Sequence, residues 1–267
     1  MERIVLVTGG SSGIGKSICH YLSQKDFKVY GTSRNPENYS DSPIELLPLD
    51  VTDNTSIRHC VEMLYSREGR IDILINNAGA GITGAVEEVP ESEIRKNFET
   101  NFMGPVNMMK AILPLMRQNN NGLIINITSI AGFMGLPYRG VYCASKASLE
   151  IIVEAMRMEV KDFGISITNL APGDFATNIA AGRYHAPAND KSPYAEQYSR
   201  ILKMIDEDVD QADDPKAVAR AVYAIINKDK PKAHYKVGTF LQRFSVILKA
   251  ILPQKLFESM MIRHHKM

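Results

Sequence analysis

Tyr142 and Lys146 lie four residues apart in an amphipathic stretch, a spacing that puts two side chains on one face of a helix. A free phenol has a pKa of about 10 and is a poor proton-transfer group near neutrality. An ammonium group beside it stabilises the phenolate and lowers that pKa, which suits the pair to acid–base work on an oxygen atom. A second constellation lies at the other end, in Thr8-Gly9-Gly10-Ser11-Ser12-Gly13-Ile14-Gly15. Gly9, Gly13 and Gly15 fall between an apolar run and an amphipathic one. There, glycine lets the backbone approach a pyrophosphate at a helix N-terminus, whose free N–H groups and dipole favour an anion.

These groups need a frame. Short apolar runs at 3–8, 28–32, 44–49, 71–75, 123–128, 165–170 and 235–237 alternate with helix-length segments at 14–25, 55–67, 91–117, 141–163 and 215–227. Near-continuous apolar runs are what strands covered on both faces require. The alternation predicts a Rossmann-type, doubly wound parallel α/β sheet of about seven strands with helices on both faces. No repeat or Gly/Ser/Pro-rich linker divides the chain, so a single domain over 1–238 and a helical extension over 239–267 are expected. Only 173–214, with Pro172, Pro187, Pro193 and several Asn and Asp nearby, lacks clear periodicity. Irregular segments of that length commonly form lids over a site.

The order of these patches resembles the short-chain dehydrogenase/reductase family, whose glycine motif is TGxxxGxG. The likeness covers about residues 1–240 and continues through Leu49-Asp50-Val51, Asn76-Asn77-Ala78-Gly79, Asn101, Ser129 and the YxxxK of Tyr142-Cys143-Ala144-Ser145-Lys146. It implies a catalytic set of Asn101, Ser129, Tyr142 and Lys146. In that set Ser129 orients the substrate oxygen, Tyr142 exchanges the proton, Lys146 also binds the nicotinamide ribose, and Asn101 holds a water. It further implies that Ser11, Ser12, Ile14 and the three motif glycines bind the pyrophosphate. Asp50 and Val51 would lie near the adenine, with Asn77, Ala78 and Gly79 beside them. Pro172-Gly173-Asp174-Phe175-Ala176-Thr177 resembles the family's PGxxxT, so Pro172, Gly173 and Thr177 are expected at the nicotinamide. The likeness leans toward the hydroxysteroid and retinol dehydrogenase branch, and a 3-ketoacyl or 3-ketosphinganine-type reductase would share the same core.

The choice of cofactor follows from charge. An acid after the second strand receives the ribose 2′-hydroxyl in NAD sites. Here that strand runs into Ser33-Arg34, and Arg34 offers a fork of donors for a 2′-phosphate. NADP(H) and the reductive direction are therefore expected. Lys16 is a second cation close to the phosphates in sequence.

Composition closes off other classes. Thirty-one Lys and Arg oppose 30 Asp and Glu for a net charge of +1, which argues against a nucleic-acid partner. Three scattered cysteines and isolated histidines show no ligand spacing, so no metal is expected. The N-terminus lacks the pattern of a signal peptide and no run of 18 apolar residues occurs, which leads to the expectation of a cytoplasmic protein.

The substrate is expected to be a small hydrophobic carbonyl or alcohol. Phe133, Met134, Leu136 and Tyr138 in one loop, and Phe175, Ile179, Tyr184, Tyr194 and Tyr198 in the lid, would line an apolar pocket with Arg183 and His185 as polar handles. The last forty residues, 228–267, carry a net +7, leaving −6 for the rest. Within them Leu241, Phe244, Leu248 and Ile251 share one helical face. Packing over the substrate mouth or a partner subunit, peripheral contact with a membrane, and a disordered basic tail are the three readings of this segment. The family resemblance implies a homodimer or homotetramer formed through the helices that begin near Glu91 and Val141. A non-catalytic nucleotide sensor on the same fold is the rival class, and loss of a catalytic residue would mark it.

Overall fold

The structure, a computed structural model, describes residues 2–175, 183–187, 191–210, 213–265 and 267. The chain begins β1 (Arg3–Val7), α1 (Gly13–Ser23), β2 (Phe27–Ser33), β3 (Leu46–Pro48), α2 (Asn54–Glu68) and β4 (Ile73–Asn76). A two-residue strand β5 (Ile82–Thr83) leads to α3 (Glu91–Phe98), α4 (Gly104–Gln118), β6 (Gly122–Ile127), α5 (Gly140–Glu159) and β7 (Ile165–Pro172). Then come β8 (Tyr184–His185), α6 (Ala195–Asp210), α7 (Lys216–Ile226), β9 (His234–Val237), α8 (Phe240–Ile251) and α9 (Gln254–His264).

Seven strands form one parallel sheet in the order β3-β2-β1-β4-β6-β7-β9, while β5 pairs with β8. The expected doubly wound sheet is present, and each predicted run contributes a strand. Side-chain alternation explains the layers. Ile4 and Leu6 of β1 turn toward α2, α4 and α5, joining Leu64, Met108, Ile112 and Val153. Val5 and Val7 turn the other way, onto Ile18 of α1 and Val222 of α7.

One row of the sheet departs from this apolar rule. Asn76, Asn126, Asn169 and His234 are direct register partners across β4, β6, β7 and β9. Asn76 Nδ2 donates to Asn126 Oδ1 at 2.9 Å, and Asn126 Nδ2 to Asn169 Oδ1 at 3.3 Å. Asn169 Nδ2 donates to Glu150 Oε2 of α5 at 2.9 Å. His234 meets the same Oε2 at 2.6 Å through Nδ1, and Glu154 Oε1 at 2.9 Å through Nε2. Each of the three amides thereby has a buried partner, while Asn76 Oδ1 and Glu150 Oε1 are buried without one among the described residues.

Three expectations are corrected. The helix expected over 91–117 is interrupted: a single π turn, Glu99–Met103, separates α3 from α4. The segment expected to be irregular, 173–214, holds α6, whose Tyr198, Ile201 and Ile205 pack on Ile82, Val89 and Tyr138. In α8 the buried residue is Val246, with Leu248 beside it, while Leu241 is 75% and Ile251 69% exposed. The face that packs inward was therefore not the Leu241–Phe244–Leu248–Ile251 face.

Candidate active site

The glycine turn is held open by hydrogen bonds from both neighbouring strands. Gly9 N donates to Thr32 Oγ1 at 3.1 Å, and Asn77 Nδ2 donates to Thr8 O at 2.9 Å. Thr8 Oγ1 accepts from Asn77 N at 2.9 Å and Ala78 N at 3.0 Å, fixing the turn after β4 against the turn after β1. Gly9 and Gly13 have φ of +65° and +50°, where a side chain is strained. Gly15 lies underneath, and a Cβ there would sit 2.2 Å from Gly9 O. Its role is to seat α1 against the strand rather than to line the groove.

An open groove of about 480 Å³ runs over this turn. Gly9, Ser11, Ser12, Gly13, Ile14, Ser33, Arg34, Asp50, Val51, Asn77, Ala78 and Gly79 all line it, as expected from the sequence. Arg34 is exposed at its rim and, among the described residues, is the one cation of the lining. Asp50 Oδ1 accepts from Thr52 N at 2.9 Å and Thr52 Oγ1 at 2.7 Å, which ties the turn after β3. Lys16 is exposed on α1 and is not part of the lining. The concave backbone, the cradle under Gly9 and the cation at the ribose end fit a phosphorylated dinucleotide. Thr32, Asn38, Tyr39, Thr52 and Thr100 also line the groove, and sequence reasoning did not single them out.

A second cleft adjoins the first and shares Ile14, Asn77, Gly79 and Ala80 with it. Ser129, Tyr142, Lys146, Pro172 and Gly173 line this cleft, so three of the four expected catalytic side chains share one opening, next to the residues it has in common with the groove. Ser129 caps the turn after β6, its Oγ accepting from Ala131 N at 3.1 Å, and its hydroxyl also hydrogen-bonds Tyr142. Lys146 Nζ donates to Ile127 O at 3.1 Å. Thr177 lies outside the described residues.

Burial governs both titrating groups. It pushes the Tyr142 phenol up, against the Arg139 guanidinium and the Ser129 hydrogen bond, which pull it down. Burial also pulls the Lys146 ammonium down to about 8, against the Glu150 carboxylate one helical turn along, which supports it. The expected lowering of the phenol by Lys146 is not seen: the groups that pull the phenol down are Arg139 and Ser129, and desolvation outweighs them. A raised phenol stays protonated, which is the form a proton donor needs.

Asn101 occupies the π turn and is wholly buried. Its Oδ1 accepts from Ala80 N at 2.8 Å. Its Nδ2 donates to Ala80 O at 2.9 Å and faces Asn97 Oδ1 and Ser145 Oγ at 3.2 and 3.1 Å. The side-chain amide is therefore committed to protein groups. π turns recur at functional sites because the extra residue re-aims one side chain. Gly79 sits between: a Cβ there would come 3.2 Å from Asn101 Oδ1 and 3.4 Å from Lys146 Nζ.

The expected substrate contacts divide. Phe175 and Arg183 line the cleft together with Arg139 and Asp174. Tyr138, Tyr184, Tyr194 and Tyr198 instead pack α6 onto the domain, with Tyr138 OH donating to Gln197 Oε1 at 2.6 Å. His185 Nδ1 meets Thr83 Oγ1 at 3.0 Å. Phe133, Met134 and Leu136 lie under α8 and α9 against Val246 and Phe257. Ile179 is outside the described residues. Gln242 of α8 reaches the cleft's edge, donating through Nε2 to Asp174 Oδ2 at 2.9 Å. Among the described residues no three His, Cys, Asp or Glu side chains gather as metal ligands.

The chain is 40% identical over 257 residues to the 3-ketodihydrosphingosine reductase of Bacteroides thetaiotaomicron, covering 96% of this chain and 95% of the relative. It is 29% identical to the NADPH-dependent 3-dehydrocapnine reductase of Ornithobacterium rhinotracheale, over 99% and 98% of the two chains. A short-chain dehydrogenase from Streptomyces avermitilis superposes with a TM-score of 0.77 at 33% identity, covering 89% of each chain. The sequence model of the short chain dehydrogenase family matches residues 3–188, and with these likenesses at hand the chain belongs to that family.

Proposed function

We propose that this protein is an NADPH-dependent reductase of long-chain 3-keto lipids of the 3-ketosphinganine type. The observation that carries the chemistry is that Ser129, Tyr142 and Lys146 line one cleft, which adjoins the cofactor groove through Ile14, Asn77, Gly79 and Ala80. The near-full-length likeness to a 3-ketodihydrosphingosine reductase supports the substrate class over the steroid and retinoid carbonyls of the hydroxysteroid branch. NADP(H) is the cofactor, held by the glycine turn, with Arg34 and Ser33 at the 2′-phosphate. When bound it supplies the hydride.

The chain's own residues supply the rest. Ser129 orients the ketone oxygen by a hydrogen bond. Tyr142 gives that oxygen its phenolic proton as the C=O electron pair moves onto it, so the product is the alcohol and the tyrosine is left as phenolate. Lys146 stabilises that phenolate at the moment it forms. Asn101 acts as a positioning residue, fixing the Ala80 backbone and the Ser145 hydroxyl beside the catalytic helix. The reading extends to a cytoplasmic homo-oligomer: Cys19, Cys60 and Cys143 are free and buried, and Ile151 and Met158 stand exposed on α5.

The test is NADPH consumption with 3-ketosphinganine, 3-ketoacyl, steroid and retinoid carbonyls, run beside Tyr142→Phe. Turnover on 3-ketosphinganine that is lost in the variant is expected. Turnover confined to another class refutes the substrate reading. Tight NADPH binding without turnover on any substrate refutes the enzyme reading in favour of a nucleotide sensor.

A further inference from the structure

The C-terminal helices carry a surface that the catalytic chemistry does not use. In α8, Phe240, Phe244, Ile247 and Ile251 follow the i, i+4, i+7, i+11 spacing and form one straight stripe. They are 69%, 37%, 53% and 69% exposed, and Phe240 stacks on Phe244 with centroids 5.5 Å apart. The stripe lies opposite Val246 and Gln242, which hold α8 to the domain, so folding of this chain leaves it uncovered. On α9, Leu256 and Met260, one turn apart, are exposed as well, and so is Ile262 on another side of the helix. Arg243, Lys255 and Arg263 are exposed on the two helices, whose four cations oppose the single acid Glu258 for a net of +3.

We propose that this α8–α9 face docks on the surface of an anionic lipid bilayer, lying in the interface without crossing it. Charge selects the occupant. A second copy presenting the same face would bring two surfaces of like, net positive charge together, whereas a bilayer rich in acidic headgroups offers the complementary sign and an apolar layer for the stripe. Length selects the mode: among the described residues no helix is long and apolar enough to cross a membrane. An apolar stripe flanked by cations is the pattern of a helix seated at the headgroup boundary.

Position gives the docking a use. The inner side of α8 rests on Ile130 and Met134, in the loop that starts at Ser129, and Gln242 grips Asp174 at the cleft's edge. A protein seated this way holds its cleft close to the bilayer, where a long-chain ketone is dissolved. The docking itself rests on the surface and not on the substrate reading, so it is measured without substrate.

The experiment is co-sedimentation of the full-length protein with phosphatidylcholine vesicles, with and without about one-third phosphatidylglycerol. Binding to the anionic vesicles should exceed that to the neutral ones by about tenfold and fall steeply with added salt. Ile247→Glu/Ile251→Glu should abolish it while leaving thermal stability and NADPH affinity unchanged, since both side chains face solvent. Lys255→Glu/Arg263→Glu provides a second variant, expected to weaken binding to anionic vesicles alone. Equal partitioning to both vesicle types overturns the proposal, as does undiminished binding by a folded variant. Sedimentation showing a dimer that Ile247→Glu/Ile251→Glu converts to monomer also overturns it, because the stripe would then belong to a second copy.

Discussion

Replacing Arg34 by alanine removes the only cation that lines the cofactor groove among the described residues. No carboxylate stands at the end of β2, and Ser33 can offer only a neutral hydroxyl, so Arg34 is the principal charged group placed to distinguish a 2′-phosphate from a hydroxyl. Because Arg34 is exposed, the interaction is partly screened: unit charges about 4 Å apart attract by ~1 kcal/mol in bulk water and ~4 kcal/mol near a protein surface. A charge-assisted hydrogen bond falls between these, at about 1.5–3 kcal/mol. Arg34→Ala should therefore raise the Kd for NADPH roughly 10- to 150-fold while changing that for NADH by less than about twofold. Titration of each dinucleotide by quenching of protein fluorescence, at low and high salt, measures both. The wild-type preference should shrink with salt, and that of the variant should be small at either. Arg34→Lys should fall between, keeping the charge and losing the fork. An equal loss for both dinucleotides would mean that Arg34 supports the fold of the groove, and no loss would move the 2′-phosphate elsewhere. Either result refutes the reasoning.

Other consequences are open to measurement. Tyr142→Phe should cut turnover by about 10²–10⁴ with NADPH affinity unchanged, and rapid turnover would require another proton donor. Glu150→Gln removes the carboxylate that opposes the depression of Lys146, so the alkaline limb of the rate profile, set by an ammonium near 8, should move to lower pH; an unmoved limb removes the coupling. His234 is held above its ordinary 6.5, chiefly by its hydrogen bond to Glu150. Its stabilisation is therefore fully present below about 6.5 and is lost as pH rises through the elevated folded value. Urea melts should show wild type losing stability relative to His234→Gln across that window, and parallel pH slopes would contradict the pairing. Gly15→Ala places a carbon 2.2 Å from Gly9 O, a backbone atom, and should destabilise the protein by about 1–3 kcal/mol while weakening NADPH binding; a neutral outcome would mean that α1 shifts freely.

The sheet was legible because each strand is a short apolar run between turn residues, and the glycine turn because its spacing coincided with a strand before and a helix after. Helical periodicity put Tyr142 and Lys146 on one face, and the family resemblance of the YxxxK together with Ser129 and Asn101 gave them their expected role. What escaped depends on contacts distant in sequence. The stretch 91–117 reads as one amphipathic helix. The π turn inside it arises where Asn101 bonds Ala80, and where Gly104 comes so near Val51 that a Cβ would lie 3.0 Å from it. In α6 the spacing of Tyr198, Ile201 and Ile205 was a helix signal, hidden by the prolines and acids around it. Spacing placed Leu241, Phe244, Leu248 and Ile251 on one face of α8, but spacing does not say which side meets the domain. Contact with Ile130 and Met134 decides which side turns in. His234 looked isolated because both of its partners lie on α5, at least 80 residues earlier.

The row Asn76–Asn126–Asn169–His234 bears on how the chain reaches its fold. Sliding any of these strands by one residue would turn its amide to the opposite face and leave the neighbouring amides buried without partners. Each such loss costs about 1–3 kcal/mol, so the misaligned sheet is penalised at several strands together. The last member of the row comes from β9, and its anchor Glu150 comes from α5. A nascent chain that has not yet released His234 has three strands in place but an incomplete polar row. Correct alignment is thus sealed by the end of the chain, and parallel strands that pair late and over long separations gain a check against settling early into the wrong register.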